Sequence, residues 1–183
     1  MTETSGILKG VRVLDLSRML SGPYCTMMLA DHGAEVIKIE SGTGDTSRAN
    51  GPFRDDDPDH LWAGYFVSLN RSKKSVTLDL KNPDDKAAFC ALVRDADVLV
   101  ENFRPGALDH LGLGYTDMSA DNPGLIYCAL KGFLDGPYAH RKALDEVVQM
   151  MGGLAYMTGP TGRPLRAGAS VTDIMGGMFG VIG

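Results

Sequence analysis

One carboxylate stands alone among small and apolar residues late in the chain. It is Asp173, in the stretch Gly168-Ala169-Ser170-Val171-Thr172-Asp173-Ile174-Met175-Gly176-Gly177-Met178-Phe179-Gly180. Small residues let other backbone or a ligand come very close to that acid. Removal from water would leave it either neutral or poised to react. The structural alternative is a helix N-cap before Ile174-Met175, where Asp is common. A second cluster, Asn102-Phe103-Arg104-Pro105-Gly106, follows a strand-like run. In open α/β sheets ligands bind at such strand ends.

The elements that must position these residues alternate along the chain. Val11 to Leu16 reads as a strand, Ser17 to Tyr24 as a turn-rich connection, Cys25 to Asp31 as a helix and Glu35 to Glu40 as a second strand. Strand, helix, strand with short links is a βαβ unit and implies a parallel pair. No G-x-G-x-x-G is present, so the arrangement lacks the dinucleotide fingerprint. Ser41 to Asp59 reads as a long polar loop, Leu61 to Leu69 as a short helix and Ser75 to Leu80 as a strand. Asn82-Pro83-Asp84-Asp85 starts a helix that runs on from Lys86 to Arg94, with Pro83 at the first helical position and acids in the first turn. Asp97 to Glu101 and Leu125 to Leu130 are further strands, Ala107 to Leu111 a short helix, and Ala143 to Tyr156 a helix with apolar residues at helical spacing. The fold class is therefore α/β: a Rossmann-like, open, mostly parallel sheet with flanking helices.

Bulk properties bound the function. A length of 183 residues suits one domain. A net charge of -5 argues against a nucleic-acid partner. No apolar run is long enough to span a bilayer, and the first residues lack a secretory signal pattern. Cys25, Cys90 and Cys128 are odd in number and each sits in an apolar setting, which reads as buried reduced thiols of a cytoplasmic protein and not as a metal site. Val181-Ile182-Gly183 ends within a helical pattern, which reads as the first part of a longer protein.

Six blocks in order resemble the family III CoA-transferases, the group named for the carnitine and bile-acid enzymes. They are Gly10 to Ser17 with Gly22-Pro23, Leu29 to Glu40, Arg71 to Ser75 with Leu78 to Lys81, Glu101 to Gly106, Leu125 to Tyr127, and Gly136-Pro137-Tyr138. The resemblance covers essentially the whole chain. It implies a Rossmann-like large domain, of which residues 1–183 would be the N-terminal part. A small domain and a returning C-terminal segment would be absent, and the full form would be a homodimer of interlocked rings. It implies an acyl-CoA and a free carboxylate as substrates, with no tightly bound cofactor, no metal, no nucleic acid and no membrane.

The resemblance also assigns roles. Asp173 matches the family's nucleophile, a carboxylate that attacks an acyl-CoA thioester and passes through mixed-anhydride and aspartyl-CoA intermediates. Closely packed glycine N–H groups in such a stretch are expected to stabilise the tetrahedral oxyanions. Contacts to CoA would fall on Leu20 and Ser21, on Leu78, Asp79, Leu80 and Lys81, on Asn102, Phe103 and Arg104, near His110, and on Lys142, Ala143, Leu144 and Asp145. Arg104, Lys81 and Lys142 are the expected phosphate partners, with a solvated surface charge as the alternative for Arg104 and Lys81. Ser41 stands where one related enzyme type has an arginine, so Arg48 or Arg71 is expected to serve the diphosphate. Asp145 is either a CoA neighbour or a first-turn helix acid.

The same fold also carries α-methylacyl-CoA racemases, which need a histidine and an aspartate on opposite faces of the substrate carbon. The histidine position is Leu144 here, which cannot move a proton, and His140 reads as a loop residue. The expected activity is thus CoA transfer between small carboxylic acids, dicarboxylates such as succinate included. A non-catalytic CoA-binding fragment is the remaining alternative.

Overall fold

The computed structural model describes residues 6–60 and 62–183. Met1 to Ser5, and Leu61 at the start of the expected short helix, lie outside the described residues. Five parallel strands form one sheet: β1 (Arg12–Asp15), β2 (Glu35–Glu40), β3 (Lys74–Thr77), β4 (Val98–Glu101) and β5 (Ile126–Ala129). Their order is β3-β2-β1-β4-β5. The chain therefore builds outward from β1 to β3, then returns to lay β4 on the other side of β1. That reversal opens a crevice beyond the carboxyl ends of β1 and β4, the point where open α/β sheets take ligands.

Alternation along the strands divides the core. Leu14 and Leu99 point into one layer with Phe89 and Val93 of α3 (Pro83–Arg94) and Met118 of α4 (Tyr115–Asp121). Val13, Val36 and Val100 point into the other, against Cys25 and Ala30 of α1 (Ser21–Asp31) and Val181 of α7 (Val171–Ile182). A sheet buried on both faces needs apolar residues on both faces of its strands, which is why these runs are nearly continuous and not strictly alternating.

Several elements differ from the sequence reading; β3, for one, ends at Thr77 and not at Leu80. Helix α1 begins at Ser21 and includes Gly22-Pro23, because proline is tolerated in a first helical turn whose N–H groups have no partner. The helix expected over Ala143 to Tyr156 is two, α5 (Asp145–Met151) and α6 (Leu154–Thr158), since Gly153 takes φ of +85° and ends the first ladder. Only a 3-10 turn, Asp109–Leu111, forms within Ala107 to Leu111. Helix α4 has no counterpart in the sequence reading; it is short, polar and buries a single residue, Met118, so it carries no apolar period. Helix α2 (Gly64–Asn70) starts inside the expected segment and ends one residue beyond it, and Pro83 opens α3 with the Asn82 side chain accepting from the Asp84 N–H at 2.8 Å.

The carboxyl ends of the first two strands bury charge. Asp15, Lys38 and Asp45 are at most 2% exposed. Lys38 Nζ lies 3.0 Å from Asp45 Oδ2 and donates to the Ser17 carbonyl at 2.7 Å. Lys73 Nζ donates to Asp15 Oδ2 at 2.9 Å, to the Pro23 carbonyl at 3.0 Å and to Asn70 Oδ1 at 2.8 Å. Burial works to raise the pKa of Asp15, but Lys73 and Lys38 hold it below the ordinary value. Glu40, at the end of β2, takes two bonds from the Arg48 guanidinium at 2.9 and 2.7 Å and one from Ser75 at 2.7 Å.

Two tests follow from this packing. A Cβ on Gly177 would sit 2.6 Å from the Ser21 carbonyl oxygen and 3.3 Å from the Cys25 nitrogen, both backbone atoms of α1. Gly177→Ala is expected to destabilise the fold by about 1–3 kcal/mol, read as a lower urea midpoint at unchanged slope. Burial opposes ionisation of Glu40, yet Arg48, Ser75 and the Asp45 N–H lower its pKa from 4.5 to about 2. Because the folded value is depressed, its contribution is full above 4.5 and fades as pH falls towards about 2. Urea titrations of the protein and of Glu40→Gln should differ by a quantity on the order of 3 kcal/mol near neutrality, and that difference should vanish across this acid window.

Candidate active site

A cleft of about 600 Å³ lies at the crevice between β1 and β4. Its walls are loop and helix-end residues: Arg18 to Ser21 after β1, Asn102 to Pro105 after β4, Leu130 to Phe133 after β5, Arg141 to Leu144 before α5, and Thr172, Asp173 and Gly176 of α7. Nine of the residues singled out in the sequence meet here: Leu20, Ser21, Asn102, Phe103, Arg104, Lys142, Ala143, Leu144 and Asp173.

Asp173 is not the N-cap. Ser170 holds that position and makes no side-chain cap bond, so Asp173 is the third residue of the helix. The cap comes from another helix. Asp145, 7% exposed at the first position of α5, accepts the Thr172 N–H at Oδ1 (2.9 Å), the Thr172 hydroxyl at the same oxygen (2.7 Å) and the Asp173 N–H (3.4 Å). Its other oxygen takes Gln149 Nε2 at 2.5 Å and Arg166 at 3.0 Å. Gln149 is fully buried and also accepts the Ala167 N–H at 2.7 Å, fixing the segment that leads into α7. A carboxylate at a helix N-terminus meets both the free amides and the positive end of the helix dipole.

The cap leaves the Asp173 side chain free. Among the described residues none donates a hydrogen bond to its carboxylate. It is half-buried. Burial raises its pKa above the ordinary carboxylate value, the Asp145 charge adds to the rise, and Arg166 works against it. Such a group is a poorly solvated, more basic carboxylate facing a cleft.

The glycines after Asp173 act differently from expectation. Gly176 and Gly177 lie inside α7, where their N–H groups close the helical i→i−4 ladder, so they are not donors to an oxyanion. Gly176 borders the open cleft, whereas Gly177 and Gly180 serve close packing. The Ser21 carbonyl contacts Gly177, and Gly180 abuts Cys25 Sγ and Leu130 at 3.1 Å from the position of a Cβ.

The remaining expected contacts fall outside the cleft. Leu78 and Leu80 pack on the core beside β3, at the far edge of the sheet. Asp79 accepts the Lys81 N–H at 3.1 Å, and the Lys81 side chain is exposed. His110 is exposed, its Nδ1 on the Gly106 carbonyl. Asp145 does not line the cleft; of its two readings, the structure fits the first-turn acid, turned to cap α7. Neither Arg48 nor Arg71 is free for a diphosphate. Arg48 is clamped on Glu40 and stacked 3.6 Å from the Phe66 ring centroid, and Arg71 pairs with Asp31 at 2.5 Å.

The sequence reading missed Arg18, Lys131, Arg141 and Gln149. Arg18 follows β1 as Arg104 follows β4, so the strand-end rule would have found it. Gln149 is a polar residue four places after Asp145 in the apolar run Val147-Val148-Gln149-Met150-Met151, a one-turn signal for a buried pair. Lys131 is paired with buried Glu101 at 2.5 Å and donates to the Phe103 carbonyl at 2.8 Å. No histidine is among the described residues that line the cleft. Among the described residues no helix is long and apolar enough to cross a membrane, and no cluster of three or more His, Cys, Asp or Glu side chains could hold a metal ion.

Asp145→Ala is expected to destabilise the protein by about 2–4 kcal/mol, since it removes a buried acceptor and leaves the α7 amides, Gln149 and Arg166 without it. In the same variant the Asp173 pKa should fall, because a neighbouring negative charge is gone. Carboxyl carbon NMR titration of Asp173 would read that direction, and an unchanged or raised value would contradict the electrostatic assignment.

Comparison with known proteins agrees with this geometry. A family model for CoA-transferase family III matches residues 8–183. The chain is 42% identical to the succinyl-CoA:mesaconate CoA-transferase of Haloarcula hispanica, over 97% of this chain and 46% of that protein. It is 45% identical to the acetyl-CoA:oxalate CoA-transferase of Acetobacter aceti, over 98% of this chain and 47% of that protein. A solved structure of a CaiB/BaiF family protein from Brucella suis matches with a TM-score of 0.91 and 42% identity, over 97% of this chain and 47% of that one. The chain thus spans about half the length of these relatives. With an open parallel sheet, a cleft at its switch point and the family match over nearly its whole length, this chain belongs to CoA-transferase family III.

Proposed function

We propose that this chain carries the nucleophile and the cation-lined CoA wall of an acyl-CoA:carboxylate CoA-transferase, as part of a CoA-binding large domain. The observation that carries the reading is the Asp173 carboxylate: half-buried, without a hydrogen-bond donor among the described residues, and facing a cleft lined by cations. Asp173 attacks the thioester carbonyl of an acyl-CoA, forming a mixed anhydride and expelling the CoA thiolate. The thiolate attacks the Asp173 carbonyl, releasing the donor carboxylate and leaving an aspartyl-CoA thioester. The acceptor carboxylate repeats both steps in reverse order, which returns Asp173 as a carboxylate and yields the new acyl-CoA. The raised basicity of Asp173 favours attack, and the half-buried setting protects an anhydride from water.

Leu20, Ser21, Asn102, Phe103, Lys142, Ala143 and Leu144 are the proposed walls for the CoA arm. Arg104 and Lys142, exposed at the rim, are the proposed phosphate partners, joined by Arg141. The names of the relatives support small dicarboxylates as substrates. A racemase reading is not supported: Leu144 occupies the position for the second proton carrier and no histidine reaches the described cleft walls. Reduced cysteines favour a cytoplasmic setting, since Cys25, Cys90 and Cys128 are all free. A homodimer is supported by exposed apolar side chains on α6 and α7, with Tyr156 70%, Met157 85%, Phe179 62% and Ile182 74% exposed.

Acyl-CoA added to the full-length protein should give a hydroxylamine- or borohydride-sensitive adduct on Asp173, located by peptide mass spectrometry. Asp173→Ala should lose CoA exchange by about 10³-fold or more. Exchange at near-native rate in that variant would refute the mechanism. The acid limb of the pH–rate profile should lie above the ordinary carboxylate value of 3.8, because only the ionised form attacks and the pKa is raised.

A further inference from the structure

Four cations on the cleft, Arg18, Arg104, Arg141 and Lys142, have no carboxylate partner among the described residues. Three of them are exposed at the rim, and Arg18 is partly buried. The Arg18 guanidinium carbon lies 5.3 Å from the Phe103 ring centroid. Its backbone is bracketed by one side chain: the Arg18 N–H donates to Asn102 Oδ1 at 2.8 Å and its carbonyl accepts from Asn102 Nδ2 at 2.7 Å. The next residue, Met19, has φ of 67°, a left-handed conformation that a long side chain rarely adopts. Its N–H donates to Asp45 Oδ1 at 3.2 Å, and Asp45 is held by buried Lys38 at 3.0 Å. Strain of this kind persists where the surroundings over-determine it, and it gathers at ligand sites. The same loop continues to Ser21, whose carbonyl contacts Gly177, one helical turn beyond Asp173.

We propose that Arg18 binds the free, non-reacting carboxylate of a dicarboxylic acid whose other carboxyl group exchanges CoA at Asp173. The proposal rests on the CoA-transfer reading and names its substrate class and selectivity residue. A planar guanidinium, held over an aromatic ring and fixed at its backbone, matches a carboxylate in a two-pronged geometry. The hydrated phosphates of CoA are better served by the exposed rim, where Arg104, Arg141 and Lys142 lie. Lys131, the other cation of the cleft, is already neutralised by Glu101.

The test compares succinate with butyrate, in which a methyl group replaces the second carboxylate, as acceptors from acetyl-CoA in the full-length protein. The wild type should prefer succinate. Arg18→Met should raise the KM for succinate by about 10–100-fold, leave kcat/KM for butyrate and the KM for acetyl-CoA unchanged, and unfold at the wild-type temperature. Arg18→Lys, which keeps the charge without the fork, should fall between the two and decides the matter if the methionine variant does not fold. A parallel loss on both acceptors, a raised KM for acetyl-CoA, or a wild type that uses butyrate as well as succinate would each overturn the proposal, the second by assigning Arg18 to a CoA phosphate. No transfer from any donor in the wild type would instead overturn the CoA-transfer reading beneath it.

Discussion

Four buried charges at the carboxyl end of the sheet hold the rest together. Lys38 and Asp15 come from adjacent strands, Asp45 from the loop after β2, and Lys73 from the turn before β3. Each ammonium also bonds backbone carbonyls, Lys38 to Ser17 and Lys73 to Pro23, on either side of the β1–α1 connection. Breaking one partner of such a cluster leaves an uncompensated buried charge and costs about 3–5 kcal/mol. The apolar core could exist with other residues at these positions. What the cluster adds is a single conformation for the loop from Ser17 to Ser21, including left-handed Met19, and that loop is one wall of the cleft.

The adjoining wall depends on a helix that is started by another helix. Asp145 supplies the acceptor that the first amides of α7 lack, and Gln149 pins the incoming segment. With its amides satisfied from outside, α7 does not need Asp173 as a cap, so the carboxylate points to the cleft. Glycine then brings α7 against α1 at Gly177, closer than any side chain would allow. Capping and close packing together set how near the Asp173 carboxylate stands to the β1–α1 loop.

Charge in the cleft is divided by pairing and exposure. Buried Glu101 neutralises Lys131, Arg18 is partly buried with its guanidinium over Phe103, and the unpaired cations at the rim face solvent. Electrostatic interactions strengthen as water is excluded, so equal charges at these exposures are not equal in effect. In the proposed reading the rim cations orient the phosphates of CoA, and the partly buried guanidinium distinguishes a carboxylate from its apolar replacement.

Local order was written in residue type. The strand runs, Asn82-Pro83 at the start of α3 and the strand-end cluster at Asn102 follow from periodicity, capping and strand-end rules that act over a few residues. Asp173 stood out for the same reason, as a lone acid among small neighbours, and the ordered motifs named its family. What needed the tertiary structure was every relation across sequence distance. Asp145 lies 28 residues before Asp173, yet it caps the helix that carries it. Arg48 and Arg71 read as free cations until folding brought Glu40 and Asp31 against them. Glycine N–H groups near Asp173 read as oxyanion donors, and at Gly176 and Gly177 the helix consumed them. Residue type and local spacing marked the side chains able to react. The fold decided which of them are left unpaired to do it, because pairing in space, and not spacing along the chain, sets whether a charge is satisfied or available.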